Sequence, residues 1–184
     1  SMNFDLRGRR DNPAKNRTIR SLRLSPDETV AMLTREPEKY IKAMRQFAGK
    51  FMGPHGDHIF SCGAGLGTCV DAYGKAQMCM LLRHPDTVYP LDQELHYERH
   101  LETTLSPLEY ALKVFFPEVR SMRSQNPAYL ERCALCFLNG LCEQCPAKSW
   151  EEHGTLDTPV EYLCEVAHAK ARFLGLLRRG EKAW

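Results

Sequence analysis

Eight cysteines in 184 residues constrain this chain more than any other feature. Four of them, Cys133, Cys136, Cys142 and Cys145, fall in one thirteen-residue run with gaps of two, five and two residues. The other four are Cys62, Cys69, Cys79 and Cys164. Thiolates are ligands for soft metals, and both zinc and an iron-sulfur cube usually take four protein ligands. Eight cysteines therefore imply two full sites. The Asn139-Gly140 pair in the middle of the run predicts a turn with positive φ that folds it back on itself.

Compartment argues against the other use of cysteine. No signal peptide precedes the folded part, which sets aside a secreted disulfide framework. No run of about eighteen apolar residues exists, so no membrane span is expected and the chain reads as cytoplasmic. At this length a core can form without metal. The formal charge of +2 is unevenly spread: residues 1–23 hold Arg7, Arg9, Arg10, Lys15, Arg17, Arg20 and Arg23 against Asp5 and Asp11. Such an arm can meet nucleic acid or an acidic partner. Phe4 is its only aromatic residue, and a stacking platform needs several, so the arm reads as a solvated strand and linker and nucleic acid is not expected. Ser1-Met2 reads as an expression scar, and the chain as an excised piece of something longer.

Beyond the arm, Ser25-Pro26-Asp27-Glu28 predicts a capped short helix. A second, from Pro37, places Ile41, Met44, Phe47 and Phe51 on one apolar face, with Gly53-Pro54 as its stop. From His58 the pattern turns extended. Gly63, Gly65 and Gly67 lie between Cys62 and Cys69, and no helix-opening Lys-Ser/Thr follows, so the stretch reads as a metal-site loop rather than a phosphate cradle. Residues 68–72 and 76–82 around Tyr73-Gly74-Lys75 predict a β-hairpin carrying Cys69 and Cys79 on its two arms. A polar connection through Leu95, His96 and His100 leads to a helix from Ser106-Pro107 to about Phe116, stopped by Pro117. Asn126-Pro127 opens a short helix toward Cys133. Thr158-Pro159-Val160-Glu161 repeats the capping pattern before a helix to Arg179, with Cys164 in its second turn and Gly180 as its stop.

Two Cys-x2-Cys knuckles make zinc the first metal to weigh, yet a five-residue linker is short for it. A close tandem ending in Cys145-Pro146 also resembles the bacterial ferredoxin run, whose last cysteine ligates the other of two cubes. With all eight positions in view, the chain resembles the SPASM domain, the cysteine-rich C-terminal module of radical SAM enzymes that modify peptides and proteins. Eleven residues separate Cys62 from Gly74 and four separate Gly74 from Cys79. Cys133, Cys136, Cys142 and Cys145 match the second block, and Cys164 ends the pattern. Cys62-Gly63-Ala64-Gly65 reads like the start of that domain, and the likeness covers Phe60 to about Leu176. Cys142 and Cys145 stand two residues apart where three are typical.

The resemblance implies an α+β fold of the SPASM/twitch type, a small β-hairpin followed by helices and cysteine-rich loops around two metal clusters. It divides the chain into an arm and helical linker (1–57), the auxiliary-cluster domain (58–176) and a tail (177–184). It implies two [4Fe-4S] clusters, one on Cys62, Cys69, Cys79 and Cys145, the other on Cys133, Cys136, Cys142 and Cys164. With every cysteine used, neither would keep an open iron, which favours electron transfer. No three cysteines show the Cys-x3-Cys-x2-Cys run that binds S-adenosylmethionine, so that cofactor is expected only in a radical SAM barrel upstream in the same protein, and this chain alone is expected to be inactive. The implied substrate is a peptide or protein. In relatives that mature sulfatases an aspartate follows the second-block cysteine; here Met80 follows Cys79. The rival reading is a zinc-stabilised four-cysteine interaction module without a redox role, zinc being the metal that aerobic expression would supply. A free-standing two-cluster ferredoxin fits the long helical flanks poorly.

Other polar residues read as structural. His58, His84, His96 and His100 are expected on surfaces or loops, and Glu98, Glu102 and Glu109 on solvated faces. Alternation would put Met78 and Met80 together on the face of the hairpin opposite Cys79, as packing residues.

Overall fold

Capping residues followed by proline organise much of the helical structure. The computed structural model describes residues 6–184, so Ser1, Met2, Phe4 and Asp5 lie outside the described residues. In chain order the elements are α1 (Pro13–Ser21), α2 (Pro26–Leu33), α3 (Pro37–Ala48), β1 (Cys69–Val70), β2 (Lys75–Gln77), β3 (Val88–Pro90), α4 (Gln93–Arg99), α5 (Pro107–Tyr110), α6 (Phe116–Arg120), α7 (Pro146–His153) and α8 (Glu161–Phe173). The fold is thus α+β, mostly helix with one small antiparallel sheet of order β1-β2-β3. Two compact units divide it: His58–Arg123 form one, and residues 1–57 with 124–184 form the other. Residues 124–176 thus pack with 1–57, and the resemblance had joined them to 58–123.

In the unit formed by 1–57 and 124–184, α2 has the expected full capping box: Ser25 Oγ accepts from Glu28 N–H and Glu28 reaches back to Ser25 N–H at 2.8 Å. The basic arm departs from the solvated strand expected of it. Asn12 accepts from the Lys15 N–H at 2.9 Å and Pro13 takes the first helical position, so α1 forms. Several of its charges are met within the chain. Arg7 pairs with Glu151, Arg23 with Glu152, and Arg10 stacks 4.1 Å over Trp150.

α3 buries Ala48 while Tyr40, Ile41 and Met44 lie half-buried on a core of Leu138, Leu141, Ala167, Ala171 and Leu174. Phe47 and Phe51 do not join that face. Both are exposed and pack on each other at 5.1 Å; Phe51 lies beyond the end of α3, which stops at Ala48, before Gly53-Pro54. Gly140 lacks the positive φ expected of it; it sits in a 3-10 turn, Leu138–Gly140. Glycine is required there for a different reason: a Cβ would meet the Ala48 carbonyl oxygen at 2.7 Å. The last residues are part of the core rather than a loose tail, since Ala183 is buried and its carbonyl accepts from Phe137 N–H at 3.2 Å.

α8 starts at Glu161, two residues after Pro159, and Thr158 does not cap it. The Thr158 hydroxyl is engaged by Thr155 and Asn126, and Gln144 Oε1 accepts from Val160 N–H at 3.0 Å. The helix ends at Phe173, with Gly175 at φ 73° as its stop in place of Gly180. Cys164 is therefore its fourth residue.

In the His58–Arg123 unit the predicted hairpin forms, shorter than expected, with Cys69 opposite Gln77 and Val70 opposite Ala76. Asp71 ties its turn by accepting from Tyr73 and Lys75 N–H groups, and Gly74 takes φ 68°. Alternation fails after Gln77. Met78 is buried and Met80 is 70% exposed, because the chain turns at Cys79, whose carbonyl accepts from Leu82 N–H at 3.0 Å.

The expected loop around His96 is helix α4, capped by Asp92. His96 is a core residue, hydrogen-bonded to the Tyr89 hydroxyl at 2.7 Å and to the Leu105 carbonyl at 3.0 Å. His100 stacks on Tyr110 at 4.1 Å. Pro117 does not end the next helix. A π-turn, Ala111–Phe115, precedes it, and the Phe116 N–H bonds back to Ala111. That widened turn accommodates a ring that lacks an N–H and would crowd the carbonyl one turn back. The helix then continues through α6, burying Phe116 fully.

Candidate metal centre

Cys133 closes a π-turn, Tyr129–Cys133, opened by the Asn126-Pro127 step. Cys136 follows a tight turn, Cys142 lies just past the 3-10 turn, and Cys164 comes from α8. All four belong to the same compact unit. Every pair among them interacts electrostatically: Cys133 with Cys136, Cys142 and Cys164, Cys136 with Cys142 and Cys164, and Cys142 with Cys164. Spacing and the α8 helix thus bring together the set that the resemblance assigns to one cluster. Cys145 is half-buried at the N-cap of α7.

Burial, reinforced by this mutual repulsion, pushes the Cys133 thiol up to about 12 and Cys142 to about 11. Cys136 and Cys164 are raised for the same first reason. Opposing donors are already aimed at the sulfurs. Leu138 N–H donates to Cys136 Sγ at 3.5 Å, Gln144 N–H to Cys142 Sγ at 3.4 Å, and Arg132 Nη2 to Cys164 Sγ at 3.5 Å. Among the described residues no three Cys, His or carboxylate side chains meet in a ready-made coordination shell.

The surroundings suit an anionic metal-thiolate centre. Arg132 is held by Glu161 in a two-pronged ion pair and stacks 4.9 Å from the Trp184 ring. Among the described residues its Nε–H is buried with no partner, an orphan donor of a kind that costs about 1–3 kcal/mol when left unmet. Lys170 and Lys148, both nearly buried, share the single carboxylate of Glu143 at 3.0 and 3.5 Å. Lys170 lies near enough to Cys142 to favour its thiolate. Soft donors and N–H groups on sulfur fit a cluster better than a hard cation.

Cys62, Cys69 and Cys79 lie in the other unit. Cys62 is exposed, and its carbonyl accepts from Arg120 Nη1 at 2.8 Å. Cys69 is on β1, its Sγ 3.7 Å from the Gln77 carbonyl. Gly65 N–H bonds to the Met78 carbonyl at 2.9 Å, tying the glycine loop next to the residue that precedes Cys79. The loop and hairpin therefore form one assembly.

Three further sequence candidates have structural partners. Glu109 completes the capping box of α5, its hydrogen bonds from Ser106 holding it down at about 2. His84 caps a short 3-10 turn, accepting from the Asp86 N–H, and His58 bridges to Arg123. Arg132, Lys170 and His168 are the side chains that sequence reasoning missed. His168 stands one helical turn past Cys164, a spacing that marks it out; its Nδ1 lies 2.8 Å from the Cys164 carbonyl. Arg132 had only its place beside Cys133, and Lys170 no signal. No family model, curated protein or solved structure matches the chain.

Proposed function

We propose that this chain is an auxiliary [4Fe-4S] cluster-binding module of a radical SAM enzyme that modifies a peptide or protein. Cys133, Cys136, Cys142 and Cys164 are the ligands of one cluster, and Cys62, Cys69, Cys79 and Cys145 are the ligands that the SPASM resemblance implies for the other. The observation that carries the reading is that four half-buried thiols from two turns and a distant helix lie within electrostatic range of one another, with backbone N–H groups already directed at Cys136 and Cys142. A bound cluster with all its irons held by thiolate supplies one-electron transfer at a potential set by burial and N–H···S bonds.

The chain's own residues do the rest. Leu138, Gln144 and Arg132 donate to sulfur, and the core under Cys136 and Cys142 limits water. The raised thiols must each lose a proton when metal enters, so loading is coupled to pH. The modification chemistry belongs to the barrel expected upstream.

The test is anaerobic reconstitution followed by iron, sulfide and zinc counts. About eight irons per chain, two cubes' worth, are expected, falling to about four in Cys136→Ser or Cys164→Ser. One or two zinc ions per chain, with no iron retained, would put the zinc-stabilised module in its place.

A further inference from the structure

We propose that Gln144 is a positioning residue that ties the cysteine run to the first turn of α8 and so sets Cys164 in place as the fourth ligand beside Cys133, Cys136 and Cys142. The inference rests on the ligand set proposed above. Three of these thiols come from one short run, and the fourth lies twenty-two residues beyond Cys142. Packing of α8 on α2 and on the 3-10 turn brings the helix close. Side-chain packing tolerates small slides of a helix along its neighbour, whereas a directed hydrogen bond at the helix end does not.

The start of α8 cannot cap itself. Val160 stands at the N-cap with no side-chain oxygen, and Leu163, at the third helical position, cannot reach back to the Val160 N–H as a glutamate or glutamine would. Gln144 does so from the cysteine run, its Oε1 accepting from Val160 N–H at 3.0 Å. The other end of the amide is held as firmly. Nε2 donates to Ser149 Oγ at 2.7 Å and to the Thr158 carbonyl at 3.4 Å, and the fully buried Ser149 gives its own proton to that carbonyl at 2.8 Å. Ser149 Oγ can therefore only accept from Gln144, which fixes which way the amide faces. The main chain of the same residue touches a ligand, since Gln144 N–H donates to Cys142 Sγ at 3.4 Å. The Val160 carbonyl in turn accepts from Cys164 N–H at 3.3 Å. One residue thus links Cys142 to the backbone of Cys164 through a continuous series of hydrogen bonds.

The experiment loads the full metal-free chain anaerobically with cobalt(II), a metal that thiolates bind, and follows iodoacetamide alkylation of each cysteine by mass spectrometry. Cobalt should protect Cys133, Cys136, Cys142 and Cys164 together in the wild type. Gln144→Met is close in size, keeps the backbone N–H on Cys142 and removes both amide contacts. In it the first three thiols should stay protected while Cys164 reacts roughly tenfold faster, the scale of one or two net hydrogen bonds, and the thiolate-to-cobalt absorption should weaken. Gln144→Glu restores the acceptor for Val160 N–H and should return much of the protection at Cys164. Cys164 protected to within about twofold of wild type in Gln144→Met would overturn this proposal and leave the ligand set standing. Equal loss of protection at all four thiols, unrescued by Gln144→Glu, would also overturn it, by making Gln144 a general prop of the fold. Wild-type chain in which cobalt protects none of the four would overturn both.

Discussion

Gly140→Ala tests how the cysteine run is anchored to the rest of its unit. The added Cβ would stand 2.7 Å from the Ala48 carbonyl oxygen and 3.0 Å from the Ala48 Cα. Both neighbours are backbone, so no side-chain rotation relieves the contact. The turn and the end of α3 must separate by roughly 0.7 Å to reach ordinary contact at 3.4 Å. Overpacking of this kind costs about 1–3 kcal/mol. At about 2–4 °C per kcal/mol for a chain of this size, the melting temperature followed by circular dichroism should fall by roughly 2–12 °C. Gly67→Ala, where nothing lies within 4 Å of the new methyl, should change stability by no more than about 0.5 kcal/mol. Gly140→Asn discriminates between the two reasons for glycine. Asparagine tolerates a left-handed backbone but is larger than alanine. The steric account requires Asn to cost at least as much as Ala; an Asn variant more stable than Ala would refute it and restore the left-handed turn. Since Cys136 and Cys142 flank this turn, the Ala variant should also speed the reaction of metal-free thiols with a colorimetric disulfide reagent.

Three further outcomes follow from the packing and the thiols. Glu152→Gln leaves the Arg23 guanidinium, with both side chains of the pair 7% exposed, without its carboxylate, and should cost about 3–5 kcal/mol in urea unfolding; a loss under about 1 kcal/mol would contradict the pairing. Phe116→Ala empties a fully buried site and should cost about 3–5 kcal/mol, while Phe47→Ala, on the exposed pair, should cost far less. In the metal-free chain the folded thiols of Cys133 and Cys142 hold protons more tightly than the ordinary value of 9.0, so their contribution is full below about pH 9 and is lost as pH rises through 11 to 12. Melting temperatures should therefore drop between about pH 9 and 12, less steeply in Cys142→Ser; an alkaline rise would refute the sign.

Much of the fold was legible because its signals are local. Ser25-Pro26 with Glu28, and Ser106-Pro107 with Glu109, carry cap, proline and carboxylate within four residues, and both produce full capping boxes. The hairpin was readable from Tyr73, Gly74 and Lys75 for the same reason. The errors arise where a distant residue overrides a local cue. Thr158 has the capping sequence, but Asn126, Thr155 and Gln144 divert the backbone and side-chain groups that would have used it. Pro117 has the stop sequence, but the π-turn before it carries the helix through. Asn139-Gly140 has the turn sequence, but Ala48, ninety-two residues away, sets the need for glycine.

The candidate site divides along the same line. The identity of its thiols follows from spacing alone, since Cys133, Cys136 and Cys142 cannot stray far from one another on so short a chain. Only the packing of α8 against α2 and the 3-10 turn explains why Cys164 should join them. The electrostatic setting was the least legible part. A lysine on α8 reads as a solvated helical residue, and its burial depends on Glu143 reaching it from the cysteine run, twenty-seven residues earlier. That placement has a chemical consequence. The carboxylate that makes two buried ammonium groups tolerable sits beside a candidate ligand, Cys142, so packing and charge at this site cannot be varied independently. Removing Glu143 would take the carboxylate from the Lys170 ammonium as well as change the field at the sulfur, and removing Glu161 would release the Arg132 guanidinium that it holds beside Cys164.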